Sequence, residues 1–217
     1  MDRLSLMQWL SPAFPTGGFA YSHGLEQVVT DGRAGTAAAV QAWLADILRH
    51  GAGRSDALML VAGLNPKADR AALDDLARAL APSAERLRET EAQGTAFAQT
   101  VAAVTGRDLR SRPLPLAVAE AASALSLPPA EIAALYLHGF AANLVSVAVR
   151  FVPLGQTEGQ KILAALHLVI MDIADEAVEL ARGHDAEALI PLMTSGVLAA
   201  DLAAMRHETL DVRIYRT

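Results

Sequence analysis

Apolar residues recur every three or four positions along most of this 217-residue chain, which is the period of an amphipathic helix. In the clearest case Val40, Leu44 and Ile47 share one face of a stretch that follows Thr36, a helix-capping type of residue, and ends at Gly51. The same period predicts further helices at 55–64, 69–81, 83–105, 115–125, 129–152 and 157–182, a short helix around 25–29, and a last one from near Thr194 or Ser195. No stretch alternates with a period of two. The pattern therefore predicts an all-α fold: a single-domain bundle of about ten helices, without a sheet, over residues 1–217.

One irregular segment lies near the N-terminus. Residues 11–18 read Ser-Pro-Ala-Phe-Pro-Thr-Gly-Gly, and two prolines with two glycines exclude a regular α-helix there. The aromatic side chains of Phe14 and Phe19 predict that this loop packs against the bundle. We also expect the charged first half of the 83–105 helix, which carries Glu85 and Glu89, to face solvent.

The second irregular segment, residues 151–160, separates two predicted helices. Pro153 and Gly155 should end the first helix, with Gly155 in a backbone conformation that residues with side chains avoid. Thr157 and Gln160 then fit a capping box at the start of the next helix.

Composition and charge narrow the class of protein. The chain is 53% hydrophobic and has no cysteine, so it can bury a core without disulfides and has no thiolate metal site. A net charge of −6 argues against nucleic-acid binding. The apolar stretch 162–171 is about half the length of a membrane span and reads as a buried helix, and no leader is evident. We therefore expect a cytoplasmic protein with no membrane partner.

No complete catalytic or metal-binding motif is present. The segment from Gly155 to Lys161 is similar to a phosphate-binding loop, but its spacing is short and no strand precedes it. His207-Glu208 lacks the second histidine of a zinc-protease helix, because Asp211 stands there. The six histidines form no close pair in sequence, although ligands could converge in space. Carboxylates at 172, 175, 176 and 179 share a helix face that we interpret as solvated. These motifs therefore identify no catalytic, cofactor-binding or metal-binding residue, and the chain is predicted not to be an enzyme.

An enzyme whose site is assembled from distant residues remains an alternative at this stage. Its candidate residues are His23, Glu26 and His207, since imidazole and carboxylate groups are the usual acid–base pairs. Turnover by the isolated protein would support it, whereas inertness until partners are added would favour an adaptor.

Three blocks of the sequence resemble the family of urease accessory protein F (UreF). They are residues 10–26 (LSPAFPTGGFAYSHGLE), 143–160 (NLVSVAVRFVPLGQTEGQ) and 205–217 (MRHETLDVRIYRT). The resemblance implies a non-enzymatic helical adaptor that forms a homodimer and joins a UreD/UreH-type accessory subunit. This pair recruits and regulates a UreG-type GTPase, which inserts nickel into apo-urease, so nickel is handled by the complex and no cofactor is bound tightly. A nickel-binding storage chaperone is the second alternative.

The same blocks suggest two sets of residues. We expect the exposed polar residues to bind partners: Glu26, Gln156, Gln160, His207, Glu208, Arg213 and Arg216. We expect a second set to shape the loops: Pro15, Gly17, Gly18, Tyr21, Ser22, Gly24, Pro153, Gly155 and Gly159. The tail 206–217 carries three arginines among few large apolar groups. It is predicted to be loose in the free protein and to become ordered against the partner subunit.

Overall fold

The computed structural model describes residues 1–181, 183–193 and 196–217, and these fold as an all-α bundle. No strand occurs among the described residues, which confirms the predicted class. Ten of the α-helices have eight residues or more, in agreement with the predicted number. The helices are α1 (Asp2–Trp9), α2 (Leu25–Thr30), α3 (Ala37–His50), α4 (Ala52–Leu64), α5 (Arg70–Ala79), α6 (Ala84–Thr105), α7 (Leu114–Ala122), α8 (Pro129–Phe151), α9 (Gln156–Ala165), α10 (His167–Ala181), α11 (Ala186–Leu189) and α12 (Leu198–His207). Short 3₁₀ helices span Gly18–Ala20 and Ile190–Leu192.

Helix α8 lies at the centre of the bundle and packs against α10, α4 and α9. By length and composition it could cross a membrane, but half of its most apolar window is buried inside the protein. The neighbouring helix α7 is almost completely buried, and it packs between α6 and α4. Burial of α8 by other helices accounts for much of its apolar character.

Side-chain caps start several helices where the sequence predicts them. The Thr36 hydroxyl accepts a hydrogen bond from Ala39 N (3.2 Å) at the start of α3. The Ser83 hydroxyl does the same for Arg86 N (3.1 Å) at the start of α6. Each cap gives a partner to a backbone N–H that the first turn of a helix leaves unpaired.

The junction between α8 and α9 differs from its prediction. Helix α9 begins after Gly155, whose N–H donates to the Glu158 carboxylate (3.1 Å), so the cap predicted at Thr157 and Gln160 is wrong by two residues. Because glycine has no side chain, only this half of a capping box exists. Gly155 is extended (φ −75°), so its predicted need for a special conformation is also wrong. The glycine that packing requires is Gly159, where a Cβ would lie 2.6 Å from Val149 Cγ2.

A break divides the long helix predicted for 157–182 into α9 and α10. It falls at Leu166, whose N–H lies 3.2 Å from the Ile162 carbonyl and 3.1 Å from the Leu163 carbonyl. Neither proline nor glycine marks this position, so the sequence pattern does not indicate it. The predicted helix end at Arg182 and the helix starts at Thr194 or Ser195 lie outside the described residues.

The N-terminal loop packs down through one of its two aromatic residues. Phe14 is buried and its ring lies 5.6 Å from that of Phe97 on α6. Phe19, in contrast, is 66% exposed, so the expectation that both rings pack inward is wrong for Phe19. Its position in the short 3₁₀ helix points the side chain away from the bundle.

Candidate functional site

The C-terminal tail, residues 208–217, is docked on the bundle. Ser22 N donates to the Thr217 carbonyl (3.0 Å), and Arg216 N donates to the Ala20 carbonyl (2.8 Å). The Tyr215 ring packs edge-on against Phe151, at 6.2 Å between ring centroids. Tyr215 is 6% exposed and Thr217 is fully buried, so the prediction of a loose tail is wrong. Buried hydrogen bonds, rather than a large apolar surface, hold this segment.

Glu26 on α2 is the main anchor of the tail. Its carboxylate accepts hydrogen bonds from Ile214 N (2.8 Å) and Tyr215 N (2.9 Å). The same carboxylate lies 3.0 Å from His207 Nε2. Glu26 is 1% exposed, so it is not the surface residue that we predicted. A charged side chain can be buried at this position because backbone and imidazole donors surround it.

His207 bridges two buried carboxylates. Its Nδ1 lies 2.8 Å from Glu85 Oε2, while its Nε2 faces Glu26. Both hydrogen bonds can form together only when both ring nitrogens carry protons. Arg213 adds a positive group, at 2.6 Å from Glu85 Oε1. Because His207 is fully buried, the prediction that it binds a partner directly is wrong.

A third buried carboxylate, Glu89, lies one helical turn after Glu85 on α6. It accepts a hydrogen bond from the Thr217 hydroxyl (2.9 Å), forms an ion pair with Arg86 and lies 2.8 Å from His23 Nε2. Burial alone would raise the pKa of Glu89, but Arg86 and His23 outweigh it and lower that pKa to about 2. Burial, followed by the Arg86 charge, lowers the pKa of His23. The tail thus ends against an ionised carboxylate.

The turn that leads into α2 brings these groups together. His23 and Gly24 both have positive φ angles, of 52° and 73°. A Cβ on Gly24 would lie 2.9 Å from Ala204 N, so only glycine lets α12 approach this turn so closely. The His23 ring lies edge-on over Phe140, at 4.7 Å between ring centroids. The first sequence block is therefore a turn shaped to receive α12 and the tail.

Asp56 on α4 is a partly buried acid next to this cluster. Its carboxylate accepts a hydrogen bond from the Tyr136 hydroxyl (2.7 Å). Burial raises the pKa of Asp56 to about 6, although Tyr136 and Arg86 act in the opposite direction. Asp56 and Arg86 line two cavities of about 100 Å³ each. Asp56 is therefore a cavity-lining group whose charge changes near pH 6.

Asp56→Asn is expected to change how stability depends on pH. The folded-state pKa of Asp56 lies above the ordinary value of 3.8, so the contribution of its proton to stability is complete below pH 4 and is lost as pH rises through about 6. Asparagine cannot ionise, so the stability of the variant relative to the parent should rise by roughly 2–3 kcal/mol between pH 4 and pH 8. Urea unfolding across this range measures it, with the exposed Asp46→Asn as control. A difference between parent and variant that stays constant with pH would contradict the assignment.

The other predicted partner-binding residues divide into two places. Glu208, Arg213 and Arg216 lie in the docked tail, and Glu208 accepts a hydrogen bond from Glu85 N (3.1 Å). Gln156 and Gln160 are exposed on α9 and make no side-chain hydrogen bond within the described part of the chain. The predicted partner-binding residues other than Gln156 and Gln160 thus converge at the tail, and α9 contributes nothing to the buried cluster.

The burial of the carboxylates on α6 was not predicted from the sequence. We expected its first half to be solvated, but Glu85 is 5% exposed and Glu89 is 2% exposed. Their spacing of four residues, continued by the buried Gln93, places them on one face and could have indicated a polar contact. On α10, in contrast, the predicted solvated face is confirmed: Asp172, Asp175 and Glu179 are exposed, and Glu176 pairs with Arg54. The described residues include no group of three or more histidine or acidic side chains placed to hold a metal ion.

Comparison with known proteins assigns the family. The chain matches the family model of UreF over residues 35–167. It is 62% identical over 214 residues to "Urease accessory protein UreF" of Cereibacter sphaeroides, which covers 99% of this chain and 98% of the relative. The proteins of the same name from Paracoccus denitrificans and Jannaschia sp. are 52% and 48% identical, over 99% of this chain and 96% and 94% of their own lengths. An all-helical bundle that fixes its own tail on buried carboxylates thus has close relatives among urease accessory proteins. The chain belongs to the UreF family.

Proposed function

We propose that this protein is a non-catalytic adaptor of urease maturation. Together with a UreD/UreH-type subunit, it recruits and regulates a UreG-type GTPase that inserts nickel into apo-urease, in the cytoplasm and as a homodimer. Membership of the UreF family is the observation that carries the proposal. The residues 155–161 support it, since they follow a helix and start α9, whereas a phosphate-binding loop follows a strand.

The charged groups of the buried cluster are less suited to catalysis than to holding the tail. Glu26 and His207, the core of the alternative enzyme site, are 1% and 0% exposed. A substrate would reach them only after displacement of the tail, and their hydrogen-bonding positions are already used by Tyr215 and Glu85. We therefore favour a structural role for these residues in the adaptor.

An exposed apolar surface follows the last helix and the tail, and we propose that it receives the UreD/UreH-type subunit. On α12, Leu198, Leu202 and Met205 follow a spacing of four and three residues, so they share one face. They are 69%, 42% and 46% exposed. Val212 and Ile214 of the tail are 77% and 68% exposed. Apolar side chains concentrated in this way are typical of an interaction surface. We call these five residues the α12–tail surface.

The docked tail explains how this surface is presented. Tyr215 and Thr217 point into the bundle, while Ile214 and Arg216 point outward, which is the alternation of an extended segment. The buried residues hold the backbone, and the outward residues are free to contact a partner. In this proposal the cluster of Glu26, Glu85 and His207 acts indirectly, by positioning the α12–tail surface.

The double variant Val212→Asp/Ile214→Asp is expected to weaken the complex with the UreD/UreH-type subunit more than tenfold, about 1.4 kcal/mol. Charged side chains at both positions would have to be desolvated on binding. Co-purification and titration with the partner subunit measure the loss, and urease activation with nickel, bicarbonate and GTP measures its consequence. Val104→Asp, at an exposed valine on α6, is the matched control.

Three outcomes separate this proposal from its alternatives. Full-strength binding by the double variant would show that the partner binds elsewhere. GTP hydrolysis by the isolated protein would contradict the adaptor role. Tight retention of nickel by the isolated protein would favour a storage chaperone. We do not expect it, because tight metal sites need more ligands than the described residues bring together.

A further inference from the structure

One of the two cavities that Asp56 lines lies against the N-terminal loop, and we call it the loop cavity. Its volume is about 100 Å³. Residues between 9 and 19 line one side of it, and α4, α6, α7 and α8 line the others. An apolar cavity of roughly 150 Å³ holds benzene, so a molecule of about four or five non-hydrogen atoms fits this volume. The loop cavity therefore has room for a small ligand.

Three side chains of the loop cavity offer hydrogen-bond acceptors that the protein leaves unused. The amide nitrogen of Gln93 donates to Glu89 (2.9 Å), and that of Asn143 donates to a backbone carbonyl near the end of the loop (2.8 Å). Each amide therefore presents its oxygen, and neither oxygen accepts a hydrogen bond from a described residue. The same is true of Asp56 Oδ1, since the Tyr136 hydroxyl donates to the other carboxylate oxygen (2.7 Å). A ligand that carries N–H donors would pair these oxygens.

The carboxylate of Asp56 has no cationic partner among the described residues. Four other carboxylates are almost completely buried, and each contacts an arginine or a histidine: Glu26, Glu85, Glu89 and Asp74. Asp56 receives only the neutral Tyr136 hydroxyl. Arg86 also lines the loop cavity, but its guanidinium is paired with Glu89. When Asp56 is ionised, two carboxylates face one guanidinium, so the cavity attracts a monovalent cation.

Aromatic rings determine which kind of cation fits. Trp9, Phe97 and Phe140 line the loop cavity together with Tyr136. Aromatic faces attract organic cations, whereas a metal ion such as Mg²⁺ needs a complete shell of oxygen ligands. Water is the competing occupant, and it would pair the amide oxygens. It brings no charge to Asp56, however, and finds no hydrogen-bond partner on the rings.

We propose that the loop cavity binds a small organic cation, a protonated amine of about four or five non-hydrogen atoms. Its ammonium group donates to Asp56, and its alkyl group packs among the aromatic rings. The amide oxygens of Gln93 and Asn143 are available to its other N–H groups. This site is separate from the α12–tail surface and independent of the adaptor proposal, because it needs no partner protein.

Isothermal titration calorimetry of the full-length protein with isobutylamine and with isobutanol tests the site at pH 7.5. The two probes have nearly the same shape, but only the amine is charged, and it should bind at least tenfold more tightly. Asp56→Asn keeps the size of the side chain and removes its charge, so it should weaken amine binding more than tenfold and leave alcohol binding unchanged. Asp46→Asn, at an exposed aspartate of α3, is the matched control and should bind both probes like the parent.

Amine binding by the parent should also weaken as the pH falls. The pKa of Asp56 is raised by burial to about 6, so its ionised fraction, and with it the apparent affinity, should fall about tenfold between pH 7.5 and pH 5. The other charged or titratable groups around Asp56 are Tyr136 on α8, Arg86 and Glu89 on α6, His23 before α2 and Asp201 on α12. The pKa of Glu89 is about 2 and burial raises that of Tyr136 well above its ordinary value, so neither changes charge in this range. Burial lowers the pKa of His23, and a proton gained there would act in the same direction as the proton on Asp56.

The comparison of the two probes on the parent decides the proposal even without a variant. Equal affinity for amine and alcohol, or no binding of the amine, would show that the loop cavity holds only water and would overturn it. Amine binding that Asp56→Asn leaves unchanged, in a variant that circular dichroism shows to be folded, would also overturn it. None of these results would affect complex formation or urease activation, which test the adaptor role.

Discussion

Glu26→Gln is expected to release the C-terminal tail and to lower the free energy of unfolding by about 3 kcal/mol. Both carboxylate oxygens accept hydrogen bonds, from Ile214 N, Tyr215 N and His207. A glutamine of the same size has one acceptor oxygen, and its NH₂ group would face a donor that then has no partner. His207 would also lose one of the two charges that face its ring. The cost is large because all of these groups are buried.

Urea unfolding and limited proteolysis measure the two effects of Glu26→Gln. The variant should unfold at a lower urea concentration, and its tail should be cleaved faster than that of the parent. Glu179→Gln, at an exposed glutamate of α10, is the control and should change stability by less than about 0.5 kcal/mol. Equal stability of both variants would contradict the role of Glu26 as an anchor. If Glu26 were an exposed partner contact, as the sequence predicted, the Glu26→Gln and Glu179→Gln variants would be equally stable.

Gly94→Ala is expected to destabilise the protein by about 3 kcal/mol or more, the upper end of overpacking effects. Gly94 lies on α6 where the loop before α7 crosses it, and a Cβ there would be 1.9 Å from the Arg112 carbonyl oxygen and 2.8 Å from Leu114 N. These are backbone atoms, so no side-chain rotation relieves the overlap. The loop is held in place, because Arg112 forms salt bridges with Asp74 and Glu120.

Gly35→Ala provides a matched test of the same substitution. No atom lies within 4 Å of a Cβ on Gly35, and its φ angle is not positive, so alanine should be neutral or slightly stabilising there. Thermal and urea unfolding of both variants give the comparison. A Gly94→Ala variant as stable as Gly35→Ala would show that α6 and this loop can separate at little cost.

The helices and many of their ends could be predicted from the sequence, because they depend on local chemistry. Thr36 caps α3 as expected, and Ser83 caps α6 where the predicted helix begins, since a hydroxyl needs only its own first turn to do so. The family could also be predicted, because three blocks of residues are distinctive as strings. The role of the individual residues within those blocks could not be read in the same way.

The failures concern contacts between residues far apart in sequence. In the sequence, Glu85 and Glu89 resemble a solvated helix face. In the fold they contact His207, Arg213 and Thr217, which lie more than 115 positions away near the other end of the chain. The requirement for glycine at 94 comes from the backbone of a loop and leaves no trace in the local pattern. The same holds for His138 and His167, whose proximity depends on how α10 crosses α8.

The anchoring of the tail also has a consequence for synthesis on the ribosome. Ser22 and Glu26 are made early, but the backbone groups that bind them belong to residues 214–217, which are made after nearly all of the rest of the chain. Until then the nascent chain holds Glu26 and Glu85 without the side chains of His207 and Arg213 that contact them in the fold. Because chains emerge from the N-terminal end, helices can form earlier, but this polar interior closes only after residues 207–217 have been made. Products truncated before residue 207 would therefore leave the carboxylates of Glu26 and Glu85 without these partners, a chemical difference by which a cell could tell them from chains that carry the tail.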